Sequence, residues 1–141
     1  MESSSTARVL VVAYKTAATP ALLDAVRARR AAGPASFTLL IPAPVSGLER
    51  AVSADHADTS EADAVLALAL PLLEEASGGP VSGIIGASSP LEAIQDAVNV
   101  QGFDEIILSM LPAHVSRWLH LDLPHKLNGL GLPVTTITAR G

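Results

Sequence analysis

Apolar positions along the chain gather into short runs separated by stretches of helical spacing. Val9-Leu10-Val11-Val12-Ala13 is apolar at every position and rich in β-branched residues. A strand with one wet face would alternate, so this run predicts a strand covered on both sides, as in parallel sheets. Thr19 then precedes Pro20 as an N-cap before a proline at the first helical position. Leu22, Leu23 and Val26 follow at helical spacing, and Gly33-Pro34 stops the helix. Phe37-Thr38-Leu39-Leu40-Ile41 is a second strand, closed by Pro42. Residues 43–59 read as the longest loop, with Pro44 and Gly47 among them. Ser60 and Asp63 are expected to cap a helix through Leu73 to about Ala76, ended by Gly78-Gly79-Pro80. A third strand runs from Val81 to Ala87. Ser89-Pro90-Leu91-Glu92 forms a capping box, which predicts a helix to about Val100 with Gly102 as its stop. Asp104-Glu105-Ile106-Ile107-Leu108-Ser109 is a fourth strand. A loop and a helix follow, and Val134-Thr135-Thr136-Ile137-Thr138 is a fifth.

Strand and helix thus alternate four times before a final strand. That order predicts an α/β fold: an open, doubly wound, five-stranded parallel sheet with helices on both faces and right-handed crossovers. The fifth strand mixes Thr with apolar residues, which suits a sheet edge. The length of 141 residues fits one domain over 8–141, preceded by a polar tail at 1–7. Aromatic residues are only 3% of the chain, so its core must be aliphatic.

The net charge of −5 argues against a nucleic-acid partner, because phosphate neutralisation needs clustered Lys and Arg. Arg27, Arg29 and Arg30 sit at a helix end, where they complement the helix dipole. The absence of cysteine excludes disulfides, thiolate catalysis and zinc–thiolate sites. Met1-Glu2-Ser3-Ser4-Ser5-Thr6 lacks the basic and apolar regions of a signal peptide. The longest apolar run, Ala64 to Leu73, is far short of the ~20 residues that span a bilayer. A cytoplasmic protein without a membrane partner is expected.

Open α/β sheets bind ligands beyond the carboxyl ends of their strands, where strand order reverses. Three segments should border that crevice: Tyr14-Lys15-Thr16, Gly86-Ala87-Ser88-Ser89, and Ser109 to Asp122. With the runs around them, these segments resemble the universal stress protein family. Val9-Leu10-Val11-Val12-Ala13 resembles its opening strand, and Gly86-Ala87-Ser88-Ser89-Pro90-Leu91-Glu92-Ala93-Ile94 its third strand–helix junction. Phe103-Asp104-Glu105-Ile106-Ile107 with Ser109 resembles the strand entering its phosphate loop, and Leu132-Pro133-Val134 its closing strand. The pattern Ser109-Met110-Leu111-Pro112, Ser116-Arg117-Trp118-Leu119 and Asp122-Leu123-Pro124 is similar to an actinobacterial-type branch of the family. The resemblance implies strand order 3-2-1-4-5 and a homodimer joined through Val134, Thr135, Thr136, Ile137 and Thr138.

Nucleotide-binding members of that family end the first strand with Asp, where this chain has Tyr14. They also carry Gly-x-x-Gly, nine residues, Gly, then Ser or Thr, positions that fall here on Ser109, Pro112, Asp122 and Leu123. Glycines in such a loop let backbone N–H groups close around phosphate. Pro112 has no N–H, and Asp122 is an N-cap type whose carboxylate would occupy the positive helix end. These replacements argue against ATP binding in the family's manner and leave the cofactor open.

Lys15 and Arg117 are the cations of the crevice segments; they suit an anionic ligand, or a solvated loop and an ion pair with Asp122. Trp118 suits helix packing beside Leu119 and Leu121, or stacking on a base. His114, His120 and His125 are spaced by six and five, which does not place them on one helix face for a metal. Neither Ser109 nor Ser116 lies in a Gly-x-Ser-x-Gly elbow, so no catalytic residue is assigned. The candidate ligand-site residues are Tyr14, Lys15, Thr16, Gly86, Ser88, Ser89, Ser109, Pro112, Ser116, Arg117 and Asp122. The sequence is read as a non-enzymatic, universal-stress-type protein binding a small anion or a nucleotide in an altered way. A dimeric interaction module without a small ligand, and an adenine-nucleotide hydrolase, are the alternatives.

Overall fold

A computed structural model describes residues 6–13, 16–42, 56–86, 90–110 and 123–138. In chain order these form β1 (Ala7–Val12), α1 (Pro20–Ala32), β2 (Ala35–Pro42), α2 (His56–Ser77), β3 (Val81–Gly86), α3 (Pro90–Gln101), β4 (Glu105–Met110), α4 (Leu123–Asn128) and β5 (Val134–Thr138). All four strand pairings are parallel, and the sheet order is β3-β2-β1-β4-β5. The α/β alternation, the strand order and the position of β5 at an edge are as the sequence implies. β1 starts at Ala7, inside the segment read as tail.

The unbroken apolar runs have a direct cause. Side chains alternate across a strand, and both faces of the central strands are covered. Val9, Val11, Phe37, Leu39, Ile41 and Ile107 pack with Leu22, Val26, Ala69 and Leu73 of α1 and α2. The intervening positions Leu10, Val12, Leu40, Ile106 and Leu108 pack with Ile94 and Ala97 of α3 and Leu123 and Leu127 of α4. Each such aliphatic side chain, fully buried, stabilises the fold by roughly 1.5–3 kcal/mol relative to exposure.

Helix ends follow two chemistries. Gly78 and Gly102 stop α2 and α3 in the left-handed region, each at φ +78°, with their amides donating to the carbonyls of Glu74 and Val98 at 2.8 and 2.9 Å. Gly33 stops α1 where expected but with extended backbone, its amide donating to the Arg30 carbonyl at 3.2 Å. The largest departure is at α2, which begins at His56, so 56–59 are helical and Ser60 and Asp63 lie within the helix. Ser60 and Asp63 favour an N-cap by residue type, but type alone does not show where along such a stretch the helix begins.

At the amino edge of the sheet, the Arg29 guanidinium forms a two-pronged ion pair with Glu105, at 2.8 and 2.9 Å, joining the end of α1 to the start of β4. Both side chains are mostly buried, so Arg29 does more than complement a dipole. The bond to Glu105, followed in weight by the opposing effect of burial and by the charge of Glu105, leaves the Arg29 pKa above its ordinary value. A raised folded value stabilises the fold at every pH below the ordinary arginine range and is lost only as pH rises through the folded value. From the Arg29 side, the fork therefore holds throughout neutral conditions. Arg27 pairs with Asp24 one turn away, but both are exposed and such pairs add little.

Candidate functional site

The order β3-β2-β1-β4-β5 places the reversal between β1 and β4. The chain leaves β1 toward β2 and β3, then returns to the other side of β1 as β4. In open α/β sheets, ligands bind outside the carboxyl ends of the strands at such a reversal, so the ends of β1 and β4 mark the candidate crevice.

Among the described residues, one polar contact joins the two sides of that candidate crevice. The Thr16 and Ser109 hydroxyl oxygens lie 2.6 Å apart, joining residues 93 positions distant in sequence. Thr16 is 2% exposed and Ser109 is 1% exposed. Strand alternation explains why they meet. Ile107 faces the core beneath α1 and α2, and Ser109, two residues on, points to that same side. Thr16 opens the turn that leads into α1. A buried hydroxyl without a partner is costly, and here each hydroxyl partners the other.

Thr19 reinforces the turn in an unexpected way. It occupies the N-cap position of α1, with extended backbone, but its side chain caps no amide of the first turn. Its hydroxyl donates instead to the Thr16 carbonyl at 2.9 Å, and its amide donates to the same oxygen at 3.2 Å. The cap expected from the sequence is thus a clamp on Thr16.

Gly86, the last residue of β3, pairs with Pro42 of β2. It stands two strands from β1, roughly 10 Å by strand spacing, and the structure gives it a packing role. A Cβ at Gly86 would lie 2.8 Å from the Ala93 Cβ and 3.0 Å from the Leu40 Cδ1. Only glycine lets α3 approach β3 this closely.

Of the candidate residues, the structure therefore joins Thr16 and Ser109 and sets Gly86 apart. Tyr14, Lys15, Ser88, Ser89, Pro112, Ser116, Arg117 and Asp122 lie outside the described residues, as do His114, Trp118 and His120. Leu123, which falls where nucleotide-binding universal stress proteins carry Ser or Thr, is 1% exposed and packs in the core beneath α3 and α4. Its side chain is committed to the interior. His125 is exposed on α4, and no group of three or more metal-ligating side chains converges among the described residues. A shallow depression lined by Gln95, Asp96, Val98, Asn99 and Leu130 lies toward the amino edge, away from the crevice.

The sequence reading treated Thr16 and Ser109 as separate candidates and did not pair them. The available signal was Ser109 itself, a polar residue on the buried side of an apolar strand, which needs a partner. The Arg29–Glu105 fork had no comparable local signal.

The sequence matches no protein-family profile, and no curated protein matches it. Among solved structures, the chain is similar to a universal stress protein from Archaeoglobus fulgidus, at 15% identity and a TM-score of 0.66 over 93% of each chain. A lipopolysaccharide core biosynthesis protein from Thermoplasma volcanium GSS1 aligns at 13% identity over 96% of this chain and 98% of that one, with a TM-score of 0.46, too loose to define a shared fold. The chain has a universal-stress-protein-like α/β fold.

Proposed function

We propose that the protein is a non-enzymatic, universal-stress-type ligand-binding or regulatory protein. It acts as a cytoplasmic homodimer, and its crevice takes a small anionic ligand or a nucleotide held without the glycine loop. The observation that carries this reading is the Thr16–Ser109 pair. Among the described residues at the place where such sheets bind ligands, the side chains brought together are two neutral hydroxyls bonded to each other. Neither hydroxyl titrates near neutral pH, so the pair supplies no general acid or base at that place, which favours a binding protein over an enzyme that moves protons. Lys15 and Arg117 supply the positive charge in the neighbouring segments of the sequence. The buried Leu123 supports altered rather than family-type nucleotide contacts.

A native mass spectrum of the purified protein tests both parts together. The expected result is a dimer mass carrying a small co-purified anion or nucleotide. A bare dimer would overturn the ligand and favour an interaction module without one. A bare monomer would overturn both, and turnover of ATP by the purified protein would replace the reading with a hydrolase.

A further inference from the structure

We infer that the Thr16–Ser109 hydroxyl pair is a latch across the crevice between β1 and β4, and that it keeps the sugar and phosphates of a nucleotide away from the crevice floor. The inference rests on reading that crevice as the ligand site. The two oxygens are 2.6 Å apart, and both residues are almost wholly buried. No ligand atom fits between groups at that distance, so a ligand reaching the backbone between the two strands must push them apart. Each hydroxyl would then lose its buried partner, and leaving such a group unpaired is costlier than forming the bond is favourable.

The latch is also tied to the helix behind it. The Thr16 carbonyl accepts both the amide and the hydroxyl of Thr19, and the Leu23 amide donates to the Thr19 carbonyl at 3.0 Å as an early bond of α1. Displacing Thr16 therefore disturbs the start of α1 as well as the hydroxyl pair. Ser109 is held from its other side, where β4 registers with β5 at Ile137. Neither half of the latch moves without straining a regular element. The pair thus sets a selectivity: ligands that rest above it enter freely, and ligands that need the floor do not.

Calorimetric titration with ATP tests the latch on wild type, Ser109→Gly, Ser109→Ala and Thr16→Val. Ser109→Gly removes both the bond and the side chain, and its ATP affinity should rise at least tenfold, about 1.4 kcal/mol. Ser109→Ala and Thr16→Val remove the bond but keep most of the bulk, and each should gain less than Ser109→Gly. Ser82→Ala, at an exposed position of β3, should match wild type. Far-UV circular dichroism checks the fold of each variant; should Ser109→Gly fail to fold, a gain or no gain in Ser109→Ala decides. Unchanged ATP affinity in the folded Ser109 variants overturns the latch. Tight wild-type binding lost in Thr16→Val and Ser109→Ala also overturns it, because the hydroxyls would then be ligand contacts. The ligand reading is judged separately, by the mass spectrum of the wild type, so either can fail alone.

Discussion

Gly83 and Gly86 lie in the same strand, yet their neighbours give them opposite tolerances. A Cβ at Gly83 would meet the Leu66 side chain first, its Cδ1, Cδ2 and Cγ at 2.7, 2.9 and 3.0 Å, beside an exposed edge where that half-buried side chain can turn away. Loss of a glycine also lowers the entropy of the unfolded chain, worth about 0.4–1 kcal/mol. Gly83→Ala should therefore change stability by less than about 1 kcal/mol in urea denaturation. A Cβ at Gly86 meets Ala93, which has no side chain to move, so α3 itself must shift. Gly86→Ala should cost about 1–3 kcal/mol, as overpacking does; equal midpoints for the two variants would show that α3 is not held against β3. This division was hidden in the sequence, where Gly86 was read at the end of the third strand as a residue beside a ligand. A glycine's neighbours are set by tertiary approach. The local pattern did mark Ser109 as unusual, but its partner is far away in the chain.

At the scale of elements, strands were the most legible, because burial on both faces writes an unbroken apolar run. Helix stops were legible too, since Gly78 and Gly102 adopt a conformation that other residues avoid. Two helix starts were legible as well, at Pro20 and Pro90, whereas that of α2 was not, because its stretch offers several capping residue types in close succession. Pro71 is a second feature of α2, exposed in the interior of the helix and within a run read only for its apolarity. It has no amide to donate to the Ala67 carbonyl one turn back. Proline in a helix interior costs about 3 kcal/mol relative to alanine. The stiffer unfolded chain offsets about 0.4–1 kcal/mol of that. Pro71→Ala should thus raise stability by roughly 2 kcal/mol in urea denaturation. No gain would mean that the proline meets a requirement of the fold that its exposure does not reveal.

For the whole molecule, the sheet of described strands ends at β3 and β5. The proposed dimer uses β5, and its register fixes which amides are available. The Ile106 amide donates to the Pro133 carbonyl at 2.9 Å, and Leu108 registers with Thr136. In a parallel pair this alternation turns Thr135 and Ile137 toward β4 and the Thr136 amide toward the open side. Thr136→Pro should remove an outward donor without touching the β4 ladder. Light scattering should then report monomer for the variant and dimer for wild type; a variant of dimer mass would place the interface elsewhere. The parallel arrangement of all strands also separates the two ends of the fold. Ala7 begins β1 at the amino edge, beside the Arg29–Glu105 fork, whereas Thr138 ends β5 at the rim that carries Thr16 and Ser109. A sensor chip loaded through a tether ahead of Ala7 leaves that rim facing the flowing solution. The same chip loaded through a tether after Thr138 turns the rim toward its matrix, so comparing capture in the two orientations maps which edge receives the ligand.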